Sequence, residues 1–297
     1  MKKTLAMMTA AMMVAGALAG CGSSSSTPAA TTAAATEAAT TAAATEAATT
    51  EAAGDTAAAA EGTVKTPSGK FTVGFDQEFP PMGFVGDDGQ FTGFDLDLAK
   101  EVASRLGLEF VPQPINWDAK DMELDSGNID CIWNGFTMQG REDDYTWVGP
   151  YMANNQVFVV TADSDIASKA DLAGKAVEVQ KDSSGLAALQ GDAELSASFG
   201  SMTEVADYNT ALMDLESGAC DAVCMDSIVA GYQIKSSGKD MKILDDTLSA
   251  EEYGIGFKKG EDELAKAVYD TLMDMKDDGT VAKISNDWFG SDVFTLK

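Results

Sequence analysis

"LDSGNIDCIWNG" (Leu124–Gly135) and "LESGACDAVCMD" (Leu215–Asp226) can be laid on one another residue by residue. In both, a helix runs to an acid and a serine and then meets glycine, which supplies the left-handed turn that ends helices. An aspartate follows, then a short apolar strand, then a change to small or polar residues at the strand's C-terminal end. In open α/β sheets, ligands collect beyond such carboxyl ends. Gly135 and Asp226 hold equivalent positions in the two copies, so the repeat predicts two similarly built lobes facing one cleft.

The surroundings of each copy extend this reading. "KFTVGFD" (Lys70–Asp76) alternates like a strand, "QEFPPMGF" is a loop, and "GFDLDLAKEVASRLG" spaces Phe94, Leu98, Val102 and Leu106 as a helix stopped by Gly107. With "EFVPQPIN" as a second strand, this order implies an α/β lobe with a parallel sheet. Further on, "NNQVFVVTA" (Asn154–Ala162) and "KAVEVQ" read as strands, and "DSSGLAAL" as a helix start with Ser183 or Ser184 at the N-cap. "EEYGIGFKKG" gives another strand, and "DELAKAVYDTLMDMKDDG" and "TVAKISNDWFG" two closing helices.

Outside this body the chain reads differently. "MKKTLAMMTAAMMVAGALAGC" carries Lys2 and Lys3, an apolar run, and Leu18-Ala19-Gly20-Cys21, the layout of a signal peptide over residues 1–20 ending in a lipobox, with Cys21 as the lipidated residue. Residues 21–65 contain the unit TTAAATEAA twice, at Thr31–Ala39 and Thr40–Ala48, and offer almost nothing larger than alanine to bury. Such a segment cannot offset its ordering entropy and is expected to be a disordered tether. A flexible chain of about forty residues spans roughly 35 Å. The expected arrangement is a globular body held to the outer face of a membrane by a lipid anchor.

Composition excludes several functions. The formal net charge of −28 leaves no basic stripe for nucleic acid. The chain has no histidine, which removes Ser-His-Asp and Cys-His catalysis and His-ligated zinc. Cys131, Cys220 and Cys224 lie in apolar runs and read as buried free thiols, the last two on one strand, rather than as a metal site. No cofactor and no metal are expected.

Against this acidity, "WNGFTMQGREDD" (Trp133–Asp144) stands out, because Arg141 and Arg105 are the only arginines in the chain. A planar guanidinium holds a carboxylate through two parallel hydrogen bonds, which lysine cannot match. The expectation is a small ligand with its own carboxylate; a surface arginine paired with Glu142–Asp144 is the plainer alternative. A second holder is the helix start at Ser183 and Ser184, whose free N–H groups and dipole favour anions. Asp226 ends an apolar strand, where an unpaired carboxylate is costly, and is the candidate counter-ion for an ammonium, with the Gly135 carbonyl and Thr137 hydroxyl completing the set.

"GFDLDLAKEVASRL", "NGFT…R", "KAVEVQKDSSGLAAL", "SGACDAVCMD" and "YGIGFKKG", in this order, resemble the bacterial extracellular solute-binding proteins of family 3, the polar amino acid receptors of ABC importers. The resemblance covers essentially Thr66–Gly290 and implies a type II periplasmic-binding fold: two α/β lobes joined by a two-strand hinge and closing on ligand. Lobe 1 would comprise residues 66–152 plus 253–297, lobe 2 residues 153–252, with crossovers near "YMANN" and "AEEYG". By position in the motifs, Asp76, Phe79, Trp117, Asn134, Gln180 and Met225 would line the side-chain pocket. Thr137 and Arg141 are four residues apart, one fewer than the family pattern. Asp76 would favour a guanidinium, an ammonium or an amide, Gln180 a carboxamide or guanidinium. Met225 stands where the glutamine receptor has histidine, and with Lys181 the one basic residue nearby an acidic substrate fits poorly. The implied function is a monomeric, non-enzymatic receptor that captures a polar L-amino acid and delivers it to an ABC transporter permease. A cleft dehydratase using Asp76 as general acid and a ligand sensor without transport are the alternatives.

Overall fold

The computed structural model describes residue 66 and residues 68–297. The expected signal peptide, lipidated Cys21 and tether therefore lie outside the described residues.

The alternation read in "KFTVGF" forms β1 (Lys70–Phe75), which buries Phe71, Val73 and Phe75 completely. A small three-stranded sheet follows, made of β2 (Glu78–Phe79), β3 (Gly83–Val85) and β4 (Phe91–Thr92). Helix α1 (Phe94–Leu106) buries the expected Phe94, Leu98 and Val102, with Asp95 and Asp97 in its first turn and Arg105 in its last. Those charges oppose the helix dipole at each end and stabilise it. Strand β5 (Glu109–Pro114) returns parallel to β1. A short 3₁₀ turn at Trp117–Ala119 leads into α2 (Lys120–Ser126), and β6 (Cys131–Thr137), buried at every residue, also runs parallel to β1.

Two long strands then carry the architecture. β7 (Tyr145–Thr161) has 17 residues and β11 (Met241–Lys258) has 18. They pair antiparallel along their whole length, with Glu251 opposite Asn154, Glu252 opposite Ala153 and Tyr253 opposite Met152 near the middle. Between them in the chain come β8 (Ala176–Gln180), α3 (Ser184–Gly191), α4 (Ala193–Ser198), β9 (Ser201–Val205), α5 (Tyr208–Ser217), β10 (Ala222–Asp226) and α6 (Ser227–Ser237). The strand order in the eight-stranded sheet is β5-β1-β6-β11-β7-β10-β8-β9. One half of β11 pairs with β6 and the opposite half of β7 pairs with β10, so a parallel trio lies on each flank of the long pair. Helices α7 (Asp262–Asp277) and α8 (Thr280–Phe289) close the chain.

The repeat is visible in the structure. Gly127 after α2 and Gly218 after α5 both take the left-handed conformation, at φ 75° and 77°. The strands that follow begin at the matching residues Cys131 and Ala222. Cys220 departs from expectation: β10 begins at Ala222, so Cys220 lies in the preceding turn and not on the strand with Cys224. Cys131, Cys220 and Cys224 are buried free thiols. Among the described residues no helix is long and apolar enough to cross a membrane, and no group of His, Cys, Asp and Glu is arranged to hold a metal ion.

Candidate functional site

The matched strand ends of the two copies open into one narrow cavity. It is lined by Phe79, Trp117, Gly135, Thr137, Arg141, Gln180, Ser183, Ser184 and Asp226. Gly135 and Thr137 come from the end of β6, Gln180 from the end of β8 and Asp226 from the end of β10. Gly135 has φ 57°, and a Cβ there would stand 2.9 Å from Phe79 and 3.1 Å from Tyr253. Only glycine meets both demands.

Arg141 sits in the turn after β6. Its Nη1 donates to the Thr137 carbonyl at 3.1 Å and its Nη2 to the Asp182 carbonyl at 3.4 Å, while its guanidinium lies 5.1 Å from the Phe136 ring centre. Among the described residues it forms no ion pair, although Glu142, Asp143 and Asp144 follow it directly. A guanidinium has five N–H donors, so donors remain for an anion. Facing it is the start of α3: Ser183 is the N-cap, its hydroxyl accepting from Leu186 N at 3.1 Å. The Ser184 and Thr137 hydroxyls approach to 3.2 Å across the cavity.

The same cavity also holds a buried acid. Asp226 is 3% exposed; its Oδ1 accepts from Asn154 Nδ2 and Tyr253 OH, each at 2.7 Å, and its Oδ2 from Tyr208 OH at 3.1 Å. Burial, and then the neighbouring Glu251 charge, push its carboxyl up to about 7. Glu251 Oε1 accepts from Asn154 Nδ2 at 2.7 Å, Thr137 Oγ1 at 2.9 Å and Gln156 Nε2 at 3.0 Å.

Toward the remaining side, Gln180 Nε2 donates to Asp76 Oδ2 at 2.7 Å, joining β8 to the loop after β1. Asp76 thus stands one hydrogen bond behind the cavity wall, its carboxyl raised to about 6 chiefly by burial. The Phe79 ring packs 5.8 Å from Tyr208, and Trp117 meets Phe136 edge-on at 5.6 Å.

Besides Asp76, two more expected lining residues stand off the cavity wall. Asn134 is turned away from the cavity, its Oδ1 accepting from the Asp76 N–H at 3.1 Å, so it holds the loop that presents Asp76. Met225 is fully buried in the apolar core with Val223 and Val229. Side chains alternate along a strand, and Met225 takes the face opposite its neighbour Asp226. The expectation of Lys181 as the one nearby basic residue also needs correcting. Lys120, 1% exposed, has its Nζ 5.3 Å from the Trp117 ring centre and is ion-paired with Asp182.

The sequence profile of the bacterial extracellular solute-binding proteins, family 3, matches residues 71–291. The chain belongs to this family. This family 3 protein is 31% identical over 231 residues to the L-cystine-binding protein TcyJ of Escherichia coli K12, covering 76% of this chain and 84% of that one. Among solved structures it is similar to an ABC uptake transporter substrate-binding protein from Streptococcus pneumoniae with bound histidine. The identity is 34% and the TM-score 0.74, over 77% of this chain and 95% of that one. An ancestral arginine-binding protein bound to arginine gives 36% identity and a TM-score of 0.70, over 75% and 99% of the respective chains. The fold is the type II periplasmic-binding fold.

Several residues that shape this family 3 site went unread in the sequence. Asp95 is fully buried beneath the cavity floor, where its Oδ2 accepts from Gly135 N at 2.7 Å and Tyr151 OH at 2.8 Å; burial raises its carboxyl to about 7. It fixes the backbone of Gly135. Its signal was present, as an acid directly beside the apolar stripe of α1. Tyr208 and Tyr253, which hold Asp226, carry no such signal. Glu251 lies at the "AEEYG" crossover, where nothing in the local sequence marks a buried acid.

Proposed function

We propose that this chain is an extracytoplasmic receptor that captures a free polar L-amino acid and passes it to the permease of an ABC importer, breaking no bond. The observation that carries this reading is the shared cavity. An arginine without an ion pair among the described residues stands at one end, and a buried aspartate held by two tyrosines and an asparagine at the other. A zwitterion supplies what both ends require. Its carboxylate pairs with Arg141 and the N–H groups at Ser183 and Ser184; its ammonium meets Asp226, the Gly135 carbonyl and the Thr137 hydroxyl. Relatives named for cystine, histidine and arginine support an amino acid as the ligand.

Phe79, Trp117, Gln180 and, behind it, Asp76 would receive the ligand side chain, with Asn134 positioning Asp76. An aspartate there favours a basic or amide-bearing side chain. Residues 66–152 plus 253–297 would move against residues 153–252 about the middle of β7 and β11, where Asn154 and Glu251 pair. Cys21 would carry the lipid, residues 21–65 would be the tether, and the receptor would act as a monomer.

The test is calorimetry with the twenty L-amino acids on protein unfolded and refolded to remove carried ligand. One-to-one binding of one or a few of them is expected. Absence of binding by all twenty would sink the proposal.

A further inference from the structure

Asp226 and Glu251 are drawn to the same donor. Asn154 Nδ2 gives one hydrogen to Asp226 Oδ1 and one to Glu251 Oε1, each at 2.7 Å, so these two oxygens are no farther apart than the two contacts added together. Both residues are at least nine-tenths buried, at 3% and 5% exposure. Among the described residues neither carboxylate forms an ion pair. Two buried anions this close, with no cation, repel strongly in a low-dielectric site. Such a pair relieves itself by keeping one proton between its members, and titrates as a unit.

Among the described residues no cation is bonded to either acid. From α5 and β11 the facing groups are the hydroxyls of Tyr208 and Tyr253, both raised well above their ordinary range by burial and by these same carboxylates. From β10 the Cys224 thiol is likewise pushed up by burial. From β7 come the neutral amides of Asn154 and Gln156, from β6 the Thr137 hydroxyl and from α3 that of Ser184. Arg141 lines one cavity with Asp226 and a neighbouring one with Glu251, but its guanidinium is bonded to the Thr137 and Asp182 carbonyls and, among the described residues, is ion-paired with neither acid. Asp76, beyond Gln180, adds a further acid and no cation.

We propose that the amino-group subsite is a carboxyl pair, Asp226 with Glu251, which holds one proton when ligand is absent and exchanges it for the ligand's ammonium. This rests on the amino acid reading above and deepens it: Glu251 becomes a second determinant of amino-group recognition, and capture becomes proton-linked. The charge in the pocket then stays constant through the exchange, because one positive charge leaves as H⁺ and another arrives as R–NH₃⁺.

The test has two arms on the full refolded chain. Without ligand, isotope-edited infrared spectroscopy of the side-chain carboxyls at pH 6 is expected to show, beside the buried Asp95, a protonated carboxyl that disappears in Asp226→Asn and ionises at lower pH in Glu251→Gln. With ligand, the probe is whichever of L-arginine, L-histidine, L-cystine or L-glutamine binds in the screen. Calorimetry in buffers of different ionisation heat is expected to count about one proton released per probe at pH 6. The dissociation constant should rise about tenfold for each pH unit below the midpoint of the pair, and Glu251→Gln should flatten that dependence. Binding with no proton released, or an infrared spectrum with both carboxylates ionised at pH 6, would overturn the proposal. If no probe binds, the amino acid reading fails, and the infrared arm still decides the proton.

Discussion

Lys120 and Asp182 are ion-paired across the molecule, one from α2 beside β1 and β6, the other from the turn between β8 and α3. A reciprocal pair runs beside it, Lys181 Nζ to Asp118 Oδ2 at 2.6 Å. The two differ in weight. Lys181 and Asp118 have 56% and 41% of their side chains exposed, so water screens the pair and it contributes little. The Lys120 side chain is 2% exposed and lies against Trp117. Lys120→Met keeps the packed stem and removes the charge. It is expected to weaken amino acid binding about tenfold, on the order of 1.4 kcal/mol, and to enlarge the radius of gyration of the unliganded protein in X-ray scattering. Lys181→Ala should stay within about threefold of the parent by the same scale. Equal effects of the two would show that burial does not set the strength of this clasp.

Arg141→Lys replaces a planar fork with a point charge. Loss of roughly ten- to a hundredfold in affinity is expected, about 1.4–2.8 kcal/mol, and alike for every amino acid that binds, because all share the α-carboxylate. Thermal stability should barely change, since lysine keeps a cation near the Phe136 ring and the guanidinium's hydrogen bonds to the fold are those to the Thr137 and Asp182 carbonyls. Trp117→Ala should instead reorder the amino acids. An Arg141→Lys protein whose losses differ widely among ligands would place Arg141 at the side chain and not at the carboxylate.

Gly135→Ala tests the cavity floor. Alanine pays about 1–2 kcal/mol for the left-handed conformation at φ 57°, and its methyl would meet Phe79 at 2.9 Å. Denaturant titration should register at least that loss, and calorimetry should register no binding. Wild-type affinity in this variant would mean that the ligand does not approach β6 closely.

The residues that could be read from sequence share one property: they look wrong for their surroundings. Arg141 is a rare guanidinium among acids, Asp226 an acid closing an apolar strand, and Gly127 and Gly218 break two helices at one repeat position. What escaped is built by distant partners. Glu251 is buried only because Asn154, 97 residues away, and Gln156, 95 residues away, come up beside it. The long strands are only half legible, since Gly149-Pro150 interrupts the pattern of β7 and the polar "DDTLSA" hides β11 ahead of "EEYGIGFKKG". The two- and three-residue strands β2, β3 and β4 are too short to show any period. The motif puts Met225 at the pocket, and strand alternation sends it to the core.

Buried carboxylates also fix how stability responds to acid. Asp95 is raised to about 7, Asp226 to about 7 and Asp76 to about 6, each first by desolvation, against 3.8 for the ordinary group. A raised carboxyl binds its proton more tightly in the folded protein than in the unfolded chain. Between about pH 4 and pH 7 the folded state therefore carries more protons, and stability rises as pH falls through that window. For Asp95 alone the full span is on the order of 4 kcal/mol. Paired acids work the other way: Asp278, held at about 2 by Thr280 and Arg105, loses its contribution only below about pH 4, and it is exposed, so that contribution is small. The unliganded protein should melt higher at pH 5.5 than at pH 7.5, the reverse of proteins stabilised by surface ion pairs. Asp95→Asn should reduce the slope, because its amide needs no proton to stay neutral beside Gly135 and Tyr151. A melting temperature that falls steadily from pH 7.5 to 5.5 would show that these carboxylates are ionised in the folded state at little cost, and that water reaches the floor of the site.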